Sequence, residues 1–181
     1  MRDTTTPPVA FIVPKLLSPD ECASWIAETE ATGYRLAPIT TARGPVINTS
    51  VRSNHRVMLD DPARAAALWP RLEPHLPKLG GRRPVGLNER LRFYRYEPGQ
   101  HFDWHLDGCY RRPNGEQSEL TVLLYLSEDF DGGATGFDDA RVQPATGLAL
   151  LFRHRILHCG EAVTRGRKYV LRTDVMYEPA G

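Results

Sequence analysis

The sequence predicts one mainly β domain of the α+β type, a sandwich or barrel that carries helices at its N-terminal end. Three observations predict it. A chain of 181 residues can bury one sizeable core and is short for two. Helical periodicity is confined to the first part of the chain, up to about residue 80. From Arg83 onward, short runs rich in Val, Leu, Tyr, Phe and Thr recur between Pro, Gly, Asp and Asn, with no helical stretch between them.

Taken in order, the N-terminal MRDTTTPPVAFIVPKLL has an apolar run broken by prolines, too short for a signal peptide or a membrane span. SPDECASWIAETEATG predicts a helix: Ser18 caps it, Pro19 takes the first helical position, Glu21 completes a capping box, Cys22, Trp25 and Ile26 form an apolar stripe, and Gly33 stops it. A second helix is expected over about Pro62–Leu72, with Ala65, Leu68, Trp69 and Leu72 turned to a core. The strands are then expected in GLNERLRFYRY, HFDWH, LTVLLYLS, VQPATGLALLF and KYVLRTDVMY. This divides a single domain, residues 1–181, into a helical part over about 1–80 and a β core over about 81–178.

A net charge of +1 from a near-even mix of both signs provides no basic field for nucleic acid or a membrane surface. Three cysteines, Cys22, Cys109 and Cys159, show no C-x-x-C spacing and are odd in number, which fits a reducing compartment and a cytoplasmic protein better than a disulfide framework.

The chemistry concentrates in GQHFDWHLDG, which repeats one pattern: His101-Phe102-Asp103 and His105-Leu106-Asp107. A His and a carboxylate two positions apart on an extended segment point the same way, so either pair could offer two ligands to one metal. All four residues share one strand parity, and periodicity does not choose between the pairs. Two His and one carboxylate on one face of iron(II) leave three positions for a cosubstrate and dioxygen. The second His must come from LFRHRILHCGEAV, as His154 or His158. His158 lies shortly before a strand that carries Lys168 and Arg172, cations suited to a dicarboxylate.

RFYRYEPGQHFDWHLDG, LTVLLYLSEDFDGGATGF and GLALLFRHRILHCGEAVTRGRKYVLRTDVMY together resemble the catalytic core of the prolyl 4-hydroxylase-like branch of the 2-oxoglutarate- and iron(II)-dependent dioxygenases, over roughly Leu91 to Tyr177. The resemblance implies a double-stranded β-helix, or jelly roll, with the N-terminal helices packed outside one sheet. In that family the metal-binding His-x-Asp follows the tyrosine of R-Y by nine residues, the spacing from Tyr96 to His105, so His105 and Asp107 resemble the ligands and His101 and Asp103 do not. His158 resembles the distal ligand. Lys168, ten residues on, resembles the cation that holds the far carboxylate of 2-oxoglutarate, with Tyr96 and Thr121 as hydroxyl donors to it. Arg172 shares a face with Lys168 and reads as an alternative anchor, a clamp on a substrate carboxylate, or an ion-pair partner of Asp174. Where the family reads G-G-E-T, this chain has Gly132-Gly133-Ala134-Thr135, without the acid.

The implied cofactors are Fe(II) and 2-oxoglutarate, with O2 as cosubstrate and ascorbate fitting as a reductant. The implied reaction is decarboxylation of 2-oxoglutarate to succinate coupled to hydroxylation of an unactivated C–H bond. Arg52, Arg56, Arg92 and Arg172 are more cations than the cosubstrate requires, which favours a free amino acid or another small carboxylated substrate over a peptide; Arg52, Asn54 and Arg56 share a face if that stretch is extended. The competing readings are a peptidyl-prolyl hydroxylase of the same family and a jelly-roll metal protein that oxidises nothing, such as a cupin-type isomerase or a sensor. Neither nucleic acid nor a membrane is expected as a partner, and the sequence leaves the oligomeric state open.

Overall fold

The computed structural model describes residues 10–179. The strands are β1 Ala10–Val13, β2 Arg35–Leu36, β3 Ile39–Thr41, β4 Gly44–Val46, β5 His55–Asp60, β6 Pro84–Leu87, β7 Arg90–Tyr96, β8 Phe102–His105, β9 Gln117–Tyr125, β10 Phe130–Gly132, β11 Thr135–Phe137, β12 Arg141–Val142, β13 Ala149–Arg153, β14 His158–Gly160, β15 Val163–Gly166 and β16 Lys168–Tyr177. The helices are α1 Pro19–Thr32 and α2 Pro62–Leu72. Both stand where the sequence places them. The Ser18 hydroxyl accepts from the Glu21 amide at 3.2 Å and the Glu21 carboxylate accepts from the Ser18 amide at 2.8 Å, a complete capping box, while Gly33 ends the helix at φ +90°. Asp61 caps α2 through the Arg64 amide.

An eight-stranded sheet runs β1-β13-β9-β16-β7-β5-β2, with β6 also on β16; a four-stranded sheet, β12-β11-β14-β8, faces it. Alternation along the large sheet separates two cores. Leu91 and Phe93 of β7, Val122 and Leu124 of β9, and Leu171 of β16 turn outward onto Cys22, Ala65, Leu68 and Leu72 of the helices. Their strand neighbours Tyr94, Tyr96, Tyr125, Phe152 and Val170 turn inward, between the sheets. Burial on both faces explains why these strands read as near-continuous apolar runs. Each fully buried Leu contributes about 1.5–3 kcal/mol, so the helices hold the large sheet from behind and leave its inner face to line a site.

The first eighty residues are less helical than expected. They supply β1, β2 and β5 to the large sheet and the hairpin β3–β4. These strands are two to six residues long, and β2, β4 and β5 carry Arg, His, Pro or Gly, so they are too short or too polar to show the alternation that marks a strand in sequence. Cys22, Cys109 and Cys159 are free thiols, and no helix among the described residues is long and apolar enough to cross a membrane.

Candidate metal centre

His105 ends β8 and His158 begins β14, and the two strands pair with these residues opposite one another, ring centroids 4.2 Å apart. Asp107 lies two residues beyond β8 and its amide donates to the His154 carbonyl at 3.0 Å, which turns the chain back under the two imidazoles. One ligand atom from each of His105, Asp107 and His158 lies within 4.8 Å of the others. The Asp107 Oδ1 is 3.8 Å from His105 Nε2, and its Oδ2 is 3.6 Å from His158 Nε2.

Both imidazoles are oriented by the backbone. His105 Nδ1 donates to the Asp103 carbonyl at 2.7 Å and His158 Nδ1 to the Ile156 carbonyl at 2.8 Å, which leaves each Nε2 lone pair facing the centre. Burial drives the His105 imidazolium down to about 4, with His158 adding to the effect, and burial lowers His158 as well. Both rings are neutral at neutral pH, as metal ligands must be. Burial by itself would raise Asp107, but the Arg172 guanidinium and the Thr121 hydroxyl oppose it and the carboxylate stays ionised. Two neutral imidazoles and one buried carboxylate are the donor set of a non-haem iron(II) site.

The other His-x-Asp stands apart. His101 Nε2 donates to the Ser50 carbonyl at 3.2 Å and its amide donates to the Ser53 hydroxyl, while Asp103 is exposed. The expectation that all four residues share a face is wrong. Between His158 and Gly160 the register slips, so that two steps on β14 span three on β8, and Phe102 and His105 both turn inward.

Lys168 and Tyr96 are direct cross-strand partners on β16 and β7, on the inner face of the large sheet. The Lys168 side chain is buried between the Tyr96 and Tyr125 rings, its ammonium 5.1 and 5.5 Å from their centroids. Among the described residues its hydrogen-bond partner is the Gly133 carbonyl at 2.7 Å, and no carboxylate lies within ion-pair distance. Gly133 has φ +64°, and a Cβ there would come within 3.2 Å of the Lys168 Cδ, so the second glycine of the G-G element is needed both for the turn and for the lysine. Burial pulls the ammonium down to about 7, with Glu161 and Cys159 opposing.

Thr121 corrects a second expectation. Its hydroxyl donates to Asp107 Oδ2 at 2.6 Å and lies within 3.0 Å of His154 Nδ1, so it serves the metal side. Tyr125 stands beside Lys168 instead, and its hydroxyl meets that of Thr135 at 2.6 Å. Four residues of extended strand span about 13 Å, enough to separate Thr121 from the Lys168 end. The sequence signal was the shared parity of Thr121, Leu123 and Tyr125.

Arg172 faces the same pocket as Lys168 but is paired, Nη1 to Asp107 Oδ1 at 3.0 Å and Nη2 to Asp174 Oδ1 at 3.3 Å. Arg92 joins Asp174 at 3.3 Å. Arg52 is 5% exposed, donates through Nε to Asn54 Oδ1, and lies between the Tyr94 and Phe102 rings. Phe102 in turn stacks on His105 at 3.5 Å, so Arg52 braces the His105 ring through it. Arg56 is half-buried in the same outer cleft and has no ion pair among the described residues.

A buried, unpaired cation set in the inner pocket beside a His-Asp-His cluster is the arrangement that an iron(II)- and 2-oxoglutarate-dependent oxygenase would need. The model of the 2OG-Fe(II) oxygenase superfamily matches residues 91–173. A PKHD-type hydroxylase of Klebsiella pneumoniae is 28% identical over 169 residues, 86% of this chain and 73% of that one. Another, from Sphingopyxis alaskensis, is 37% identical over 89 residues, and that match spans only 41% of its length. Among solved structures, a Pseudomonas putida prolyl-4-hydroxylase superposes with a TM-score of 0.66 at 19% identity, covering 92% of both chains. A Trichoplax adhaerens prolyl hydroxylase superposes with a TM-score of 0.68 at 17% identity, over 92% of this chain and 83% of that one, which makes the sandwich a double-stranded β-helix. Residues 91–173 thus match the 2OG-Fe(II) oxygenase superfamily, and over most of its length the chain is similar to PKHD-type hydroxylases in sequence and to prolyl hydroxylases in fold. Fe(II) and 2-oxoglutarate are the cofactors of that family.

Proposed function

We propose that the protein hydroxylates an unactivated C–H bond of a small carboxylated substrate, a free amino acid first among them. In this reading His105, Asp107 and His158 hold the iron, and Lys168 anchors the far carboxylate of 2-oxoglutarate. Iron(II) with 2-oxoglutarate and O2 supplies the oxidising chemistry when bound. The chain's own residues bind, orient and exclude water. The two imidazoles present their Nε2 atoms already desolvated. The Lys168 ammonium and the Tyr96 hydroxyl stand at the far end of the pocket, and Leu123 and Val170 line the wall between that end and the metal side.

The observation that carries the substrate class is Arg56. Four arginines, Arg52, Arg56, Arg92 and Arg172, line the cleft outside the metal cluster against two carboxylates, Asp107 and Asp174. Both carboxylates are engaged by Arg172, and Asp174 also by Arg92. Arg56 is lowered by burial and by its neighbours Arg52 and Arg92, with Tyr94 opposing. A cation crowded by cations favours an anionic group on the substrate. The cysteine usage supports a cytoplasmic location.

The test is substrate-dependent succinate release over a panel of free amino acids, other small carboxylates and short proline peptides with blocked ends. A free amino acid or other small carboxylate is expected to turn over, and Arg56→Ala to raise its KM about 5- to 10-fold with that of 2-oxoglutarate unchanged. A blocked proline peptide as the best substrate would replace this reading with the peptidyl-prolyl one.

A further inference from the structure

We propose that His154 is a positioning residue for Asp107, acting through Thr121. The inference rests on the reading of Asp107 as a metal ligand. Four side chains and one amide form a continuous line: Tyr110 amide to Ser118 Oγ, 2.8 Å; Ser118 Oγ to His154 Nε2, 2.8 Å; His154 Nδ1 to Thr121 Oγ1, 3.0 Å; Thr121 Oγ1 to Asp107 Oδ2, 2.6 Å. Ser118, Thr121, His154 and Asp107 are all buried.

The two ends, with the His154 ring kept neutral by burial, fix the sense of every bond between them. An amide only donates, so Ser118 Oγ accepts from Tyr110 and has its hydrogen to give. An ionised carboxylate only accepts, so the Thr121 hydroxyl hydrogen points at Asp107 and its oxygen is left to accept from His154. His154 therefore carries its proton on Nδ1 and accepts on Nε2. Every donor in the line points toward Asp107.

The reason a ligand carboxylate needs this is Arg172. Its guanidinium bonds Asp107 Oδ1 at 3.0 Å from the cleft side, and a guanidinium prefers to take both oxygens of a carboxylate. Thr121 holds Oδ2 on the opposite side, so the carboxylate keeps the plane in which Oδ1 faces His105 and Oδ2 faces His158. A threonine hydroxyl alone could rotate to a carbonyl. Accepting the His154 proton on its oxygen removes that freedom. The Asp107 amide on the His154 carbonyl ties the backbones of the same two residues.

The experiment titrates Co(II) into the metal-free protein, following its visible absorption, alongside thermal unfolding of each variant and nitrogen NMR of the His154 ring. Thr121→Val should weaken Co(II) binding about 10- to 100-fold, and Thr121→Ser should stay within about threefold of the parent. His154→Leu should weaken it in the same direction. His154→Asn, whose amide N–H reaches the place of Nδ1, should recover most of the loss, and the NMR should show the Nδ1–H tautomer. A purely structural role would lower the unfolding temperature of His154→Leu and leave Co(II) affinity of the folded fraction unchanged, and that result would overturn the proposal. So would Thr121→Val binding Co(II) as the parent does, or His154→Asn no better than His154→Leu. Asp107→Ala separates the two readings: if it binds Co(II) as tightly as the parent, the ligand assignment fails and the proposal with it, whereas a weakened Asp107→Ala beside an unaffected Thr121→Val overturns the proposal alone.

Discussion

Lys168, buried, and Arg172, largely buried, are cations on the inner face of β16, four residues apart, yet they face opposite situations. Arg172 is bounded by two carboxylates, which raise it against the cost of burial. Lys168 has a carbonyl and two aromatic rings, and burial lowers it to about 7. A buried charge costs several kcal/mol unless it is paired. A fold that keeps one unpaired at the end of a pocket is built to receive an anion there, and a fold that pairs the other on both sides is using it as a brace. The difference supports the proposal that 2-oxoglutarate binds at the Lys168 end and that Arg172 holds Asp107, in place of the alternative anchor its shared face with Lys168 admits.

The largest effect expected is at the cluster that Arg172 adjoins. His105→Ala, Asp107→Ala and His158→Ala should each abolish iron-dependent turnover, while His101→Ala retains it. Loss of metal binding in His101→Ala with retention in His105→Ala would reverse the choice of motif. Next in size is the removal of Arg172. Arg172→Met leaves Asp107 and Asp174 as buried carboxylates short of a partner and should cost about 3–5 kcal/mol in chemical denaturation of the metal-free protein. Lys168→Met removes a buried charge that has no counter-ion and should leave stability unchanged or higher. If both variants lost stability alike, the contrast between brace and anchor would be wrong.

Much of this was legible in the sequence because it is local. The capping box of α1, the helix over about Pro62–Leu72, and the alternation that puts Lys168 and Arg172 on one face depend on residues a few positions apart. The choice between two His-x-Asp pairs was not local: it rested on the spacing from Tyr96 in a family resemblance, and the structure supplies its physical counterpart in the β8 bulge that turns Asp103 out. The misplacement of Thr121 has the same origin. Its partners are Asp107 and His154, 14 and 33 residues away in opposite directions, and only the closed sandwich brings them together. Arg52 between Tyr94 and Phe102 is hidden for the same reason.

The anchor itself is tested by cosubstrate affinity. A charge-assisted contact contributes about 1.5–3 kcal/mol, so Lys168→Met should weaken 2-oxoglutarate roughly 10- to 150-fold, measured as the chelate band formed anaerobically with iron(II). Arg172→Lys, which keeps a charge on Asp107, should change it far less. The reverse order would move the anchor to Arg172.

The smallest effect is the most specific to an unpaired lysine, because pH should move affinity and stability in opposite directions. In the free protein the ammonium is held near 7, and a bound carboxylate raises it. Below that pH the group is already charged and contributes no pH dependence to binding. Above it, binding must take up a proton, so the Kd for 2-oxoglutarate should rise toward about tenfold per pH unit. The cofactor-free fold behaves in the contrary sense. Its lysine releases a proton at about 7 whereas the unfolded chain keeps one up to 10.5, so over that interval the unfolded state binds more protons and the contribution of this group to stability increases with pH. Calorimetry in buffers of different ionisation heat measures the proton uptake, and denaturation across the same pH range measures the stability slope. Lys168→Met should flatten both relative to the parent. A parent protein whose cosubstrate affinity is level from pH 7 to 9 would mean that Lys168 already has a carboxylate partner, and that the two cations of β16 do not differ in the way proposed.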